Sequence, residues 1–416
     1  MILVSLSISQ PGASQPLHRI ISVTPYVVRG ARPDSGNSEL DYSCLVRIET
    51  DTEIVGWGEG TSRFPFARWG PARVLDVVNE IIAPTLIGRD PTEPMVIWNE
   101  LQILGNSPSV RRAQVCRRPE IFIGAISAID IALWDITGQV KGQPICHLLS
   151  KITRTKIKVC VDVNSLGYLS GLFSSDSMLQ PAPATVPEAQ HYLDLGFDTF
   201  LARIHGGLED NKQRLRASRH AIGRHATIVV ENTSGVSAEE LARAMPSSEV
   251  SLVIEFSRTP LEDNIRALVP VAWGNREWDT TMICDRMARG NVDIVQPNFI
   301  ICGGFTALLR ILNVAVDHGI RVMPSYGSSY GSGIGLAATI QASAATPWNP
   351  REEGQEPNPK EPMVILSPDA YSIRNELLVQ KIDGSGGYLH VPETPGLGTT
   401  VDEQVLNRQM AISRKH

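Results

Sequence analysis

The chain has 416 residues, of which 42% are hydrophobic and 20% charged, a composition typical of globular proteins. Its 38 basic and 44 acidic residues leave a formal net charge of −6 with no run of Lys or Arg, so nucleic acid is not expected as a partner. Apolar stretches such as Ile126–Trp134 are interrupted well before the roughly 20 residues that a membrane span needs. We therefore expect a cytoplasmic protein of two or more domains without a membrane partner.

The N-terminus and the cysteines argue against secretion. Residues 1–19 carry no basic segment before their few apolar residues and soon reach Pro11 and Gly12, which favours a flexible tail over a signal peptide. The six cysteines are scattered without a Cys-x-x-Cys pair. This distribution indicates buried thiols in a reducing compartment.

Residues 20–155 are predicted to form an α+β domain. Three clusters of β-branched residues predict antiparallel strands at Ile20–Val28, Ser43–Glu49 and Ile54–Glu59. Apolar positions three and four residues apart then predict amphipathic helices over Ala72–Leu86 and Thr92–Leu104.

Residues 156–370 have a different rhythm, in which short apolar runs alternate with amphipathic stretches. From Glu231 to Ser325 the ends of these runs recur every 20 to 27 residues, enough for one strand, one helix and two loops. A doubly wound open sheet would have a similar rhythm, but no Gly-x-Gly-x-x-Gly follows a strand. We therefore expect a parallel (β/α) barrel, with residues 371–416 returning to the first domain.

The segment Gly124–Ile145 resembles the helix signature of the mandelate racemase and muconate lactonizing enzyme branch of the enolase superfamily. Further matches follow the family's order at Gly56–Glu59, Val292–Pro297, Cys302–Gly304 and Pro395–Gly398. The resemblance implies a modified TIM barrel, (β/α)7β, with the α+β domain capping its C-terminal mouth, in a homodimer or higher homo-oligomer. It also implies Mg²⁺, which in this family stabilises the enolate formed when a base removes a proton α to a carboxylate.

The resemblance assigns the metal ligands to Glu231, Glu255 and Asn275. The family usually has Asp at the first position and an acid at the third, so the ligand charge falls from −3 to −2 here. Mg²⁺ prefers anionic oxygens in octahedral geometry, so the metal should bind more weakly. Glu277 is a possible substitute ligand. The alternative is a vestigial pocket with no metal.

The acid–base positions of the family are also substituted. Its Lys-x-Lys on the second barrel strand is Leu201-Ala202-Arg203, and its His–Asp dyad is replaced by Asn298 and Ser325. Leucine transfers no proton, and Arg, with a pKa above about 12, holds a carboxylate but is a poor base. The family's ordinary proton relay is therefore not expected to work in this chain.

One histidine is a candidate replacement base. His205 follows the end of a predicted barrel strand, where strand alternation places it on the same face as Leu201 and Arg203. A solvated histidine at the rim is the alternative. Asp162 and Asn164, on one face of the first barrel strand, are weaker candidates.

Aromatic residues mark the predicted substrate region. Tyr326 and Tyr330 lie where the family binds substrate, and their hydroxyls are able to donate to a carbonyl, although packing explains them equally well. Phe64–Trp69 resembles the capping-domain loop that closes over substrate, with Arg63 and Arg68 available for an anion.

We therefore predict a divergent family enzyme that acts by proton transfer on a small carbonyl or carboxylate compound, through isomerisation, cyclisation or dehydration. The candidate catalytic residues are Arg203, His205, Asn298, Ser325 and Tyr326. Two alternatives stay open. One is a catalytically silent member that binds or assembles, and the other is an acid-sugar dehydratase, which the resemblance of Glu361 and Ser367–Ala370 to such enzymes favours.

Overall fold

The structure is a computed structural model that describes most of the chain. The described residues are 17–31, 40–61, 69–113, 118–151, 153–162, 185–204, 207–232, 236–245, 250–255, 263–290, 292–326, 331–346, 362–366 and 375–412. Residues 1–16 of the predicted tail, residues 63–68 of the predicted capping loop, Glu361 and Ser367–Ala370 therefore lie outside the described residues.

A four-stranded antiparallel sheet forms one side of the first domain. Its strands are β1 (Ile20–Ala31), β2 (Leu40–Thr50), β3 (Val55–Gly60) and, from the C-terminus, β14 (Met410–Ile412). They lie in the order β14-β1-β2-β3, so the end of the chain does pair with the first domain.

Helices cover this sheet. They are α1 (Trp69–Val77), a π-helical turn (Val78–Ile82), α2 (Ala83–Leu86), α3 (Pro94–Asn106), α4 (Pro108–Arg112), α5 (Pro119–Lys141) and α6 (Ile145–Leu149). Of the described helices, α5 alone is long and apolar enough to span a membrane, and most of it is buried inside the protein. It ends at Gly142, whose positive φ of 64° suits a residue without Cβ.

Glycines allow β3 and α5 to pack backbone to backbone. Gly56, Gly58 and Gly60 lie on one face of β3, and a Cβ at any of them would come within 2.3 Å of a main-chain oxygen of α5. Any larger residue would push the helix away from the strand. The motif Gly56–Glu59 and the helix signature therefore belong to one packing unit.

Eight parallel strands build the second domain. They are β4 (Lys156–Asp162), β5 (Thr199–Ile204), β6 (Thr227–Asn232), β7 (Leu252–Glu255), β8 (Val271–Trp273), β9 (Ile294–Val295), β10 (Arg321–Val322) and β11 (Met363–Leu366). Each strand from β4 to β10 pairs in parallel with the next, and β11 pairs in parallel with β4. The predicted capping domain and barrel are confirmed.

The connecting helices lie between these strands in sequence. They are α7 (Thr185–Asp194), α8 (Leu208–Ile222), α9 (Ala238–Ala244), α10 (Asp263–Arg266), α11 (Thr280–Ala288), α12 (Gly304–His318) and α13 (Gly333–Ala345). After β11 come β12 (Gly384–Ser385), β13 (Tyr388–His390), which pairs with β4, and α14 (Glu403–Gln409). Residues 375–412 thus contribute to both sheets, and the predicted domain boundaries stay a prediction.

Apolar side chains fill the barrel interior. They are Cys160, Leu201, Val229, Leu252, Ile254, Ala272, Ile294, Met323, Met363 and Ile365. The neighbouring positions Phe200, Ala202 and Ile204 of β5 belong instead to the large cluster that includes the surrounding helices. Because the cylinder is packed with apolar groups, polar chemistry is confined to the strand ends.

Candidate active site

A buried ion-pair cluster lies at the C-terminal ends of β4, β5 and β6. The Nε of Arg203 donates to Oε2 of Glu231 at 2.5 Å, while its Nη1 and Nη2 donate to the two oxygens of Asp162 at 2.5 and 2.6 Å. Arg203 is only 7% exposed, and both acids are buried more deeply. The bidentate contact fixes the plane of the guanidinium, so its positive charge is held in one place.

The electrostatics of this cluster keep the guanidinium charged. Burial acts to lower the pKa of Arg203, but the adjacent carboxylates of Asp162 and Glu231 outweigh it and raise the pKa above its usual value. Burial raises the pKa of Glu231, and the nearby Arg203 opposes that effect. Arg203 therefore supplies a permanent charge and is not a base.

Glu255 faces a different group. In the register between β6 and β7, Glu255 pairs with Asn232, whereas Glu231 pairs with Ile254 of the barrel interior. The Nδ2 of Asn232 donates to Oε2 of Glu255 at 2.9 Å. Because side chains alternate along a strand, Glu231 and Glu255 lie on opposite faces of the sheet.

Glu277, the predicted substitute ligand, is also engaged elsewhere. It is buried, and its Oε1 accepts from the main-chain N–H groups of Trp278 at 3.1 Å and Asp279 at 3.4 Å. Burial lowers the pKa of Arg286, and the charges of Glu277 and Glu255 oppose this effect. The charges of Glu255 and Glu277 thus both act on Arg286, which places the two carboxylates near the same cation.

An uncharged cluster joins the third metal position to the two dyad positions. The Oγ of Ser325 donates to Oδ1 of Asn275 at 2.8 Å, and Nδ2 of Asn298 donates to the same oxygen at 3.5 Å. A parallel bridge between Asn298 and Ser325 sets the two side chains next to each other. The structure therefore brings these three predicted residues together.

The three predicted metal ligands have three separate sets of partners. Glu231 binds Arg203, Glu255 binds Asn232, and Asn275 accepts from the neighbouring serine and asparagine. In the part of the chain that the structure describes, no group of three His, Cys, Asp or Glu side chains is placed to hold a metal ion. Mg²⁺ demands oxygens that converge in octahedral geometry. In this arrangement the residues do not fit the ion.

Two further predicted residues lie among apolar side chains, and three lie outside the described residues. Tyr326 is buried in the large apolar cluster that includes the surrounding helices. Leu201 belongs to the apolar barrel interior. The structure does not describe His205, Tyr330 or Asn164.

Gln296 is a polar residue that sequence reasoning noted only within a motif. It follows β9 with the parity of Ile294, which faces the barrel interior, so its side chain is expected on that face. Its side chain is completely buried, and neither Nε2 nor Oε1 has a hydrogen-bond partner among the described residues. The Oδ1 of Asn298 is likewise buried without one. Unpartnered buried polar atoms are rare, and each is expected to meet an ordered water, an ion or a ligand.

The role of Asp162 was underestimated from the sequence. A buried Arg needs a counter-charge, and the alternation along β4 that turns Cys160 inward also turns Asp162 inward. The signal that would have identified the pair is an Arg and an Asp at the ends of adjacent barrel strands.

Comparison with known proteins establishes the family. Residues 184–405 match the family described as enolase C-terminal domain-like, and residues 37–150 match the mandelate racemase / muconate lactonizing enzyme N-terminal domain. The chain belongs to this family, as the sequence motifs predicted.

Two relatives indicate the range of activities, and one solved structure shows the shared fold. The D-galactarolactone cycloisomerase of Agrobacterium fabrum is 28% identical over 371 residues, which cover 87% of this chain and 89% of that protein. The arabinonate dehydratase of Saccharolobus solfataricus is 25% identical over 371 residues, with coverage of 86% and 88%. The crystal structure of 3,6-anhydro-D-galactonate cycloisomerase from Zobellia galactanivorans aligns with a TM-score of 0.75 and 24% identity, covering 95% of this chain and 100% of that chain. The predicted classes, isomerase or cyclase and lyase, are confirmed by these relatives.

Proposed function

We propose that the chain is an enzyme that transfers a proton in a small hydroxylated carboxylic acid or its lactone, as an isomerase or cyclase or as a dehydratase. The observation that carries this proposal is the buried guanidinium of Arg203, fixed between Asp162 and Glu231 at the end of the barrel where such folds place their chemistry. The names of the two relatives, a galactarolactone cycloisomerase and an arabinonate dehydratase, support the class of substrate.

The chemistry requires a fixed positive charge. A base takes the proton α to the carboxylate, and the electron pair left on carbon moves into the carboxylate to form an enolate. Return of a proton to carbon completes an isomerisation, whereas protonation and loss of a β-hydroxyl as water completes a dehydration. A cation that is already in place lowers the energy of the enolate without reorganisation. In the proposal, Arg203 has this role.

The other predicted residues complete the proposal. His205, two residues beyond Arg203 in the sequence, is the proposed base. Asn298 and Ser325 would bind hydroxyl or carbonyl oxygens, since neither side chain takes a proton near neutral pH. Tyr326 is the proposed hydroxyl donor. With no base at the dyad positions, proton transfer is expected on one face of the substrate only.

Several broader expectations belong to the same proposal. Family members generally use Mg²⁺, and in this chain each of the predicted ligands Glu231, Glu255 and Asn275 accepts from a different protein donor. The proposed partners are a small molecule and a second copy of the chain, in the cytoplasm, without nucleic acid or a membrane.

A catalytically silent binding protein is the second candidate. The specific observation that favours it is the loss of the family's usual proton-transfer groups at Leu201, Asn298 and Ser325. Such a protein would keep the barrel and bind the ligand without converting it.

Proton exchange with solvent distinguishes the two candidates. The purified chain is incubated in D₂O with a panel of aldonic acids, aldaric acids and their lactones, and each compound is followed by ¹H NMR. We expect at least one compound to lose its α-proton signal through deuterium incorporation or to form a product. The exchange reports α-proton removal even where no net turnover follows.

Two variants make the exchange experiment specific. Arg203→Met is expected to abolish exchange, because the fixed charge is lost. Lys158→Met removes another cation of the barrel strands, paired with Asp198 at their opposite end, and is expected to exchange at the wild-type rate. Binding of a compound without exchange or product anywhere in the panel would contradict the enzymatic proposal and support the binding protein.

A further inference from the structure

We infer that Arg203 takes the place of the divalent metal ion as the fixed cation of the barrel mouth, and that its presence prevents metal binding there. This inference concerns the same site as the proposed function, and the role it gives Arg203 in the reaction rests on that proposed function. Its test measures metal binding, however, so either can fail without the other.

The first argument comes from Glu231. This residue holds the first predicted metal position, yet its Oε2 lies 2.5 Å from Nε of Arg203. A divalent ion bound to the other oxygen of the same carboxylate would lie beside a guanidinium that does not lose its proton. The guanidinium would have to leave this carboxylate before the ion could use both of its oxygens, and its positive charge opposes the approach of the ion.

The second argument comes from the other two positions. The Oδ1 of Asn275 accepts hydrogen bonds from both Ser325 and Asn298, and these contacts would have to break before that oxygen met a metal ion. Glu255 lies on the opposite face of the sheet from Glu231. One oxygen of each predicted ligand is therefore already paired with a protein donor, and the two carboxylates lie on opposite faces of the sheet.

The third argument concerns the space that Arg203 fills. Three carboxylate oxygens, two from Asp162 and one from Glu231, lie within 2.6 Å of its nitrogens. If the guanidinium were removed, these oxygens would face a common space with two negative charges, and Arg276 would remain as a cation that acts on Glu231. Hard anionic oxygens in that arrangement attract Mg²⁺ or Mn²⁺. Arg203→Met should therefore create a cation site that the wild-type chain lacks.

Titration with Mn²⁺ tests the inference directly. The EPR signal of free Mn²⁺ is recorded while the full-length chain is titrated, and the melting temperature is measured with and without Mn²⁺. We expect the wild type to bind no stoichiometric Mn²⁺ at millimolar concentration and to keep its melting temperature. Arg203→Met should bind one Mn²⁺ per chain, at least about tenfold more tightly than the wild type, and should melt at higher temperature with the ion.

Two further variants complete the test. Lys158→Met removes a buried cation whose Nζ lies 3.0 Å from Asp198 at the other end of the barrel, and it should gain no Mn²⁺ site. Arg203→Lys introduces the residue that the family has at this position beside Mg²⁺, and an ammonium group does not hold Glu231 and both oxygens of Asp162 together as the planar guanidinium does. It should therefore bind Mn²⁺ more tightly than the wild type. If Arg203→Met does not fold, the comparison of Arg203→Lys with the wild type decides the question, since equal Mn²⁺ binding by the two would contradict the inference.

Two other results would also overturn the inference. One is stoichiometric Mn²⁺ in the wild type that disappears in Glu231→Gln, which would show a working metal site beside Arg203. The other is a folded Arg203→Met that binds no more Mn²⁺ than Lys158→Met. Deuterium exchange that is unchanged by EDTA would extend the inference to the reaction. If no deuterium exchange is detected at all, that result would count only against the proposed activity.

Discussion

Buried carboxylates occur in two regions of the molecule and are satisfied in two different ways. Between the capping domain and the barrel helices, Glu59 accepts from the main-chain N–H groups of Ser332 and Gly335, at 2.9 and 2.8 Å. At the barrel mouth, Asp162 and Glu231 are satisfied by the full positive charge of Arg203. Uncharged N–H and hydroxyl donors thus satisfy the carboxylates of the first region, and a cation satisfies those of the second.

Two aspartates of α5 extend the first pattern. Asp130 accepts from N and Oγ1 of Thr306 at the start of α12, at 3.0 and 2.5 Å. Asp135 accepts from the main-chain N–H groups of Trp57 and Leu397, at 2.9 and 2.8 Å. These acids join segments distant in sequence, and their role is structural.

The difference between the regions indicates where function lies. The carboxylates of the domain interface have partners supplied by fixed main-chain groups. The barrel mouth keeps three buried amide atoms, in Gln296 and Asn298, that have no partner among the described residues, whereas next to Glu59 one hydroxyl, that of Thr61, is in this state. Natural proteins tolerate such a cost mainly where a ligand repays it.

The largest expected effect is at Glu59. Glu59→Ala would leave buried donors of Ser43, Ser332 and Gly335 without an acceptor at the start of α13. Each unsatisfied donor costs about 1–3 kcal/mol, so the free energy of unfolding should fall by about 3 kcal/mol or more. Urea denaturation followed by circular dichroism measures this change.

A surface variant of the same sheet is the matched control. Glu49, paired with Arg47, is about a third exposed, and Glu49→Ala should cost less than about 1 kcal/mol. A loss for Glu59→Ala no larger than for Glu49→Ala would show that the interface carboxylate is not the anchor described above.

The sequence predicts the first region well because local rules act there. The glycines of β3 and the apolar face of α5 are visible as motifs, and they fix how strand and helix pack. Regular spacing of strand ends likewise predicts the barrel, since each repeat needs one strand and one helix.

The sequence predicts the second region less well because its contacts join distant segments. Arg203 and Asp162 are 41 residues apart, and only the alignment of adjacent strands turns one into the partner of the other. No sequence pattern around Gln296 predicts that its amide lacks a hydrogen-bond partner among the described residues, because the partners of a buried amide come from all the residues packed around it. Family motifs identify the metal-ligand and acid–base positions, but where the residue at such a position is substituted, its contacts follow from its own chemistry and cannot be carried over from the family.

The dependence of stability on pH tests the interface aspartates, with an intermediate expected effect. Burial raises the pKa of Asp130 to about 7 and that of Asp135 to about 6, although hydrogen bonds from the side chain and main chain of Thr306 to Asp130, and from main-chain donors to Asp135, oppose the shifts. Between about pH 4 and these values the folded state holds protons that the unfolded state has released. Stability should therefore be greatest near the low end of this window and should fall as pH rises, by about 1 kcal/mol per pH unit at most for each group.

Asp130→Asn isolates one of these groups. The variant has no carboxyl group to titrate, so its free energy of unfolding should fall less steeply than that of the wild type between about pH 4 and pH 7. Urea denaturation at a series of pH values measures both slopes. Identical slopes would show that Asp130 is ionised throughout, with its hydrogen bonds outweighing burial.

The smallest expected effect is at Gln296, and a second buried glutamine, Gln341, is its reference. Gln341 is fully engaged, because its Oε1 accepts from the main-chain N–H of Cys146 at 3.0 Å and its Nε2 donates to the carbonyl of Pro392 at 2.8 Å. Gln296 is as deeply buried but has no such partner among the described residues. Gln341→Met should therefore lower the free energy of unfolding, by about 1–3 kcal/mol for each group left unpaired.

Gln296→Met should have the opposite sign. Methionine has a similar size and no polar group to desolvate, so the variant should be more stable than the wild type by about 1 kcal/mol. If the amide is kept for a ligand, the same variant should bind the substrate found by deuterium exchange more weakly, with a higher KM. A stabilised variant with unchanged KM would mean that the amide serves no ligand. A variant less stable than the wild type would mean that the amide of Gln296 has a partner, such as an ordered water. The barrel mouth would then differ less from the domain interface in how its buried polar groups are satisfied.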